Sequence, residues 1–120
     1  MVPSLTDSTR LAAYRDALGN WNVIDYIQFE LSEEAHRWIK RELDGVTLKE
    51  IKWLMHEYVA AGGAIDEVVE TRPEWSDYGH HYDLRFSIGS KRVYLETRLN
   101  YREPLVPDES WILVVNIHEP

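Results

Sequence analysis

The chain has 120 residues, 44% apolar and 28% charged, with six Gly, five Pro and no Cys. This length suits one domain with a single core, and the proportions exclude a disordered or collagen-like chain. The missing cysteines exclude disulfides, thiolate catalysis and cysteine-ligated zinc or iron–sulfur centres. Thirteen basic residues face twenty-one acidic ones, a formal net charge of −8, with both halves of the chain acidic. A net-acidic surface opposes non-specific phosphate binding, so any nucleic-acid contact needs a local basic cluster.

The first helix is expected over Ser8–Leu18, with Asp7 or Ser8 capping its free amides and Gly19 ending it. Trp21 to Leu31 is ambiguous: Ile27-Gln28-Phe29-Glu30-Leu31 alternates like a strand, yet Trp21, Ile24 and Leu31 would share one side of a helix. A short extended lead-in to the next helix is the expectation. That helix starts after Ser32, with Glu33 and Glu34 at its positive end. Ala35, Trp38, Ile39 and Leu43 make its buried stripe, Arg37, Lys40 and Arg41 face outward, and Asp44-Gly45 breaks it. Thr47-Leu48-Lys49-Glu50 reads as a capping box. It opens a helix whose Leu48, Ile51, Leu54, Met55, Tyr58 and Val59 form one stripe and which Gly62-Gly63 stops.

After these glycines the spacing turns to alternation. Ile65 to Thr71 is an expected strand, and Pro73 to Gly79 a loop in which Trp75, between acids, is placed to cover an edge. His80–Ile88 and Lys91–Leu99 form a hairpin around Gly89-Ser90, a pair that suits a type II′ turn. Asn100 to Ser110, with Pro104 and Pro107, reads as a long surface loop. Trp111 to His118 is apolar on both sides and reads as a central strand. The result is a single α+β domain over 1–120, mainly helical over 1–63 and mainly antiparallel strands over 64–120. Its sheet is three- or four-stranded and antiparallel, with the N-terminal helices packed on one face.

A two-residue turn fixes the hairpin register. Ile88 then opposes Lys91, Phe86 Val93, Leu84 Leu95 and Tyr82 Thr97, making the apolar side. On the other side Ser87 opposes Arg92, Arg85 Tyr94, Asp83 Glu96 and His81 Arg98. Asn116 and His118 join that side if Trp111, Leu113, Val115 and Ile117 point into the core. One open face thus gathers His81, Asp83, Arg85, Tyr94, Glu96, Arg98 and His118. Like charges directly opposite each other destabilise a sheet, so the Asp83–Glu96 cluster needs compensation. Arg85 and Arg98, one pleat to either side, supply it as a charge quartet in the structural reading. A catalytic face and a metal site are the functional ones.

Other residues carry less. His36 and His56 sit singly on helices, and His80-His81 straddles two faces of a strand. Trp21, Trp38, Trp53 and Trp111 fall in expected elements as core or interface residues. The chain has no phosphate-binding loop, dinucleotide glycine pattern, paired-histidine zinc helix or nucleophile elbow. No apolar run approaches the ~18 residues of a membrane span. Met1-Val2-Pro3-Ser4-Leu5 lacks the character of a signal peptide, so a cytoplasmic, non-membrane protein is expected.

From Leu31-Ser32-Glu33-Glu34-Ala35-His36, Val46-Thr47-Leu48-Lys49-Glu50-Ile51, Tyr82-Asp83-Leu84-Arg85-Phe86 and the closing Val114-Val115-Asn116-Ile117-His118, the layout of roughly residues 32–118 resembles the RelE-like ribonuclease toxins. The MqsR and BrnT groups are nearer in outline. The resemblance implies a small endoribonuclease of toxin–antitoxin type, acting on RNA or the ribosome without metal or other cofactor, or an inactive descendant of such an enzyme. Arg85 and Arg98 would then stabilise the charged phosphorane-like state, and His81 or His118 would move protons with Tyr94 assisting. The net acidic charge departs from the usual basic character of such toxins.

Two other readings stand beside it. Asp83 followed by Glu96-Thr97-Arg98 on the next strand resembles the metal-dependent PD-(D/E)xK nuclease hairpin, with Arg98 in place of the expected Lys and no helix available in the Pro-broken segment 100–110. Alternatively, a small, acidic, Trp-rich domain suits a non-enzymatic, immunity-type protein that docks on a basic protein partner.

Overall fold

The computed structural model describes residues 3–101 and 109–120. Helix α1 spans Ser8–Gly19, with the Asp7 side chain accepting a hydrogen bond from the Arg10 amide. It runs through Gly19, one residue beyond the expected end, and Asn20 closes it. Strand β1 covers Ile27–Phe29, helix α2 Glu33–Glu42 and helix α3 Leu48–Ala60. Ser32 caps α2, with Glu33 and Glu34 in its first turn and Lys40 and Arg41 in its last, each sign favourable to the helix dipole. The Thr47–Glu50 capping box opens α3 as expected. Gly62 follows α3 at φ 93°, and a Cβ on Gly63 would run into the Tyr58 ring, so this glycine pair stops the helix for both reasons.

Strand β2 is Asp66–Val69, shorter than the expected strand at both ends, and a 3-10 turn at Pro73–Trp75 stands where a loop was expected. Strand β3 is His80–Ile88, β4 Lys91–Tyr101 and β5 Ser110–His118. The β3–β4 register is the expected one from Ile88↔Lys91 to Tyr82↔Thr97. Gly89 alone in the turn takes positive φ, at 61°, as a type II′ turn requires. β4 continues two residues past its expected end, and residues 102–108 of the expected Asn100–Ser110 loop lie outside the described residues.

The sheet is larger than expected and mixed: five strands in the order β1-β5-β4-β3-β2, with β1 parallel to β5. The extended lead-in before α2 is thus a sheet strand. Its pairing is long-range, which local alternation does not reveal. β5 is flanked on both sides, although β4 takes the central place expected for it, and its facing is different. A bulge falls between the pairs Glu96↔Asn116 and Thr97↔Val114, so one extra β5 residue, Val115, has no opposite number. Ile112, Val114 and Ile117 face the core, and Trp111 and Leu113 stand opposite Asn100 and Arg98 on the other side. Of the four residues expected inward, only Ile117 is. Asn116 and His118 share the polar side, as expected.

All three helices contribute to one core with the apolar side of the sheet. Tyr14 of α1 reaches the sheet centre, where its hydroxyl meets Thr97 Oγ1 at 2.8 Å. Thr97 already donates to the Tyr82 carbonyl, at 2.6 Å, so Tyr14 is the donor. In α3, Ile51, Met55 and Val59 are buried, and Tyr58 stacks on Phe86 with 5.3 Å between ring centroids. Leu54, expected on the same stripe, packs against this core but is only half-buried. No described helix is long and apolar enough to cross a membrane.

Candidate functional site

The polar side of the sheet is divided into a covered half and an open half. The segment after β2 folds back across the covered half. Trp75 lies over the Arg98 guanidinium, 4.7 Å from ring centroid to Cζ, and Tyr78 donates to Asn100 Oδ1 at 2.7 Å. Arg98 is fully buried beneath this strap. Its Nη2 lies 2.6 Å from Glu70 Oε2 and 2.9 Å from Glu96 Oε2. Arg72 joins the same two carboxylates, with Nε 3.1 Å from Glu70 Oε1 and Nη2 on Glu96.

The result is a closed network of two acids and two arginines. Burial opposes the ionised forms of Glu70 and Glu96, but Arg72 and Arg98 outweigh it. Glu70 is held down at about 2, and Glu96 is also lowered. The Arg72 guanidinium is correspondingly driven up, by Glu70 first and Glu96 second.

A charge quartet does exist, but its members differ from those expected. Arg85 is not in it: the guanidinium turns to Asp66 on β2, at 2.7 Å. Asp66 is pushed up by burial, pulled back by Arg85 and pushed up again by Asp83. Arg98 cannot face a substrate phosphate from its buried position. No signal in the sequence paired Glu70 and Arg72 with Glu96, because their meeting depends on the strap crossing the sheet. The one available clue was that a buried glutamate needs a cation and that Glu70-Thr71-Arg72 precedes the chain-turning Pro73.

In the open half, Asp83 is buried and accepts from the Tyr94 hydroxyl at 2.7 Å. His81 Nδ1 lies 2.8 Å from its other oxygen. An ionised carboxylate only accepts, so Nδ1 carries the hydrogen and Nε2 is the acceptor nitrogen of the neutral ring. The Tyr94 ring stacks on His118 at 4.6 Å, and Arg85 lies over Tyr94 at 5.2 Å from Cζ to centroid. His118 Nδ1 faces the Glu119 carbonyl at 2.5 Å, so Nδ1 donates there too and Nε2 accepts in the neutral form. Burial, and then the hydrogen bond to Asp83, push the Tyr94 hydroxyl well above its ordinary pKa. The Tyr94 hydroxyl is thus held as a donor to Asp83 while its ring stacks on His118.

Of the seven residues expected together, His81, Asp83, Arg85, Tyr94 and His118 form one linked cluster, and Glu96 and Arg98 belong to the covered network. The two carboxylates of the nuclease-like hairpin thus serve different partners. Among the described residues, no group of three His, Asp or Glu side chains is arranged to hold a metal ion. No protein-family model matches the chain, and no curated protein or solved structure does.

Proposed function

We propose that this protein is a metal-independent endoribonuclease of the RelE-like toxin type, acting in the cytoplasm on RNA, free or on the ribosome, with the open half of the polar sheet face as its active site. The observation that carries this reading is the Arg85–Tyr94–His118 stack: a cation and a proton-transfer group held on either side of one aromatic ring, with Arg85 43% exposed.

His118, through Nε2, takes the proton from a ribose 2′-hydroxyl as that oxygen attacks the adjacent phosphorus. Arg85 neutralises the charge that builds on the phosphoryl oxygens. The second histidine, His81, held by Asp83 as a donor at Nδ1, returns a proton to the departing 5′-oxygen once its Nε2 is protonated. The bond formed is 2′-oxygen to phosphorus and the bond broken is phosphorus to 5′-oxygen. The products carry a 2′,3′-cyclic phosphate and a 5′-hydroxyl, with no cofactor required. Histidine suits both steps because one ring nitrogen can accept or release a proton while the other stays hydrogen-bonded.

The test is cleavage of a single-stranded RNA in the presence of a chelator by wild type and by the Arg85→Ala, His118→Ala and His81→Ala variants. Loss of cleavage by orders of magnitude in Arg85→Ala and in at least one histidine variant, with the fold retained, supports the reading. Inert wild-type protein removes it.

A second reading is favoured by the net charge of −8 and by Ile24 and Val23, which are 82% and 46% exposed just before the edge strand β1. It is an acidic, immunity-type interaction protein that binds a basic protein partner. Tight binding of such a partner by a protein that cleaves nothing would establish it.

A further inference from the structure

Arg37 and Arg41 lie four residues apart on α2, about 6 Å along the helix axis at 1.5 Å per residue. They stand beside the end of β5. Between the two elements runs a groove of about 530 Å³ lined by Glu34, Arg37, Trp38 and Arg41 from α2 and by Asn116 and His118 from β5. In a chain with net charge −8, this wall brings two arginines and a histidine together against one glutamate.

Both arginines are available. Their side chains are 65% and 66% exposed. Among the described residues Arg37 is paired only with the largely exposed Glu33, and Arg41 shares Glu42 with Lys91. Exposed pairs of this kind contribute little and exchange readily for another anion.

We propose that this groove is the substrate-binding cleft for single-stranded RNA, with consecutive phosphates held by Arg37 and Arg41, an unpaired base against Trp38, and the strand delivered to His118. This rests on the reading of His118 as a proton-transfer group. The axial spacing of the two arginines is close to that of neighbouring phosphates on a nucleic-acid strand. An indole face accepts any base once it is unstacked, which selects an unpaired strand over a duplex. The volume falls in the roughly 300–1,000 Å³ class of small-ligand pockets, enough for an extruded nucleotide and too little for a helix. An acidic peptide would use the same two cations but would have no need of the indole or of His118 at the groove's end.

The experiment uses the full chain carrying His118→Ala, so that RNA stays intact, and follows a short labelled single-stranded RNA by fluorescence anisotropy over a salt series. Arg37→Ala and Arg41→Ala, added singly, should weaken binding and each reduce the salt slope by about one. Trp38→Leu should weaken it roughly 5- to 150-fold, the range for loss of one stacked base. Trp38 is half-buried, so Trp38→Phe is the folding control and should retain most of the binding. Lys49→Ala and Lys52→Ala, on α3 away from the groove, should change nothing.

The proposal is overturned if RNA does not bind, if the α3 lysines matter as much as Arg37 and Arg41, or if an acidic peptide and not RNA depends on the two arginines. RNA binding that depends on the groove, in a protein whose wild type cuts nothing, sustains the cleft and removes the catalytic reading. Wild-type cleavage unaffected by Arg37→Ala and Arg41→Ala removes the cleft and leaves the catalytic reading intact.

Discussion

Asp83 and Glu96 stand directly opposite each other on β3 and β4, and each carboxylate is satisfied from a different side. Asp83 takes the Tyr94 hydroxyl and His81, and Glu96 takes Arg72 and Arg98. The like-charge pair is therefore a boundary. On one side lies a buried ion network that fastens the strap to the sheet, and on the other a partly buried cluster of titratable groups from which Arg85 reaches solvent.

The covered network should be structural. Arg98→Ala leaves Glu70 and Glu96 buried with a cation missing, and breaking a buried pair from one side costs about 3–5 kcal/mol. Arg85→Ala, which breaks a partly exposed pair, should cost about 1 kcal/mol or less. Urea unfolding of both variants checks this. Equal losses would show that Arg98 is not the buried anchor described.

The network also sets an acid limit. Glu70 is held at about 2 against an ordinary 4.5. A depressed carboxylate contributes stability that is fully present above its unfolded pKa and is lost as pH falls toward its folded one. The stability difference between wild type and Glu70→Gln should therefore be constant above about pH 5 and shrink as pH falls from 4.5 toward 2. Thermal melts of both proteins across that range measure it. A difference that stays constant down to pH 2 would contradict the assignment.

Packing of α3 should follow the observed facing. Met55 is fully buried, so Met55→Ala should cost about 2–5 kcal/mol, the usual range for a buried large-to-small change. Leu54→Ala should cost clearly less, because Leu54 is half-buried. Denaturant midpoints for the two variants decide the order.

Divalent ions should have no specific effect. The oxygens of Asp83 and Glu96 are already engaged by His81, Tyr94, Arg72 and Arg98. Adding Mg²⁺ or Mn²⁺ should leave the melting temperature of the wild type unchanged, whereas a native-state metal site would raise it by mass action. A rise that Glu96→Gln abolishes would restore the metal-nuclease reading.

The parts of the fold legible in the sequence were those set locally. The Thr47–Glu50 capping box, Ser32 as a cap and the two-residue Gly89-Ser90 turn each act over a few residues, and the turn alone placed seven cross-strand pairs in register. Long-range relations were not legible. The Val115 bulge reverses the facing of Trp111 to Val114 with no turn residue to announce it, and β1 joins the sheet by parallel pairing with β5. In the candidate site, alternation brought His81, Asp83, Arg85, Tyr94 and His118 to one face. It did not reveal that the Glu70–Tyr78 segment would roof Arg98 and take it out of the site.

In the proposed reaction His118 and Arg85 drive attack by a ribose 2′-hydroxyl without metal. The most direct measurement compares, in chelator, a single-stranded RNA with the same strand carrying one 2′-deoxyribose at the cleaved position, with end-group analysis of the products. The expected result is cleavage of the all-ribose strand to a 2′,3′-cyclic phosphate and a 5′-hydroxyl, and none at the deoxy position. Equal cleavage of both strands, 5′-phosphate products, or an intact RNA would contradict it.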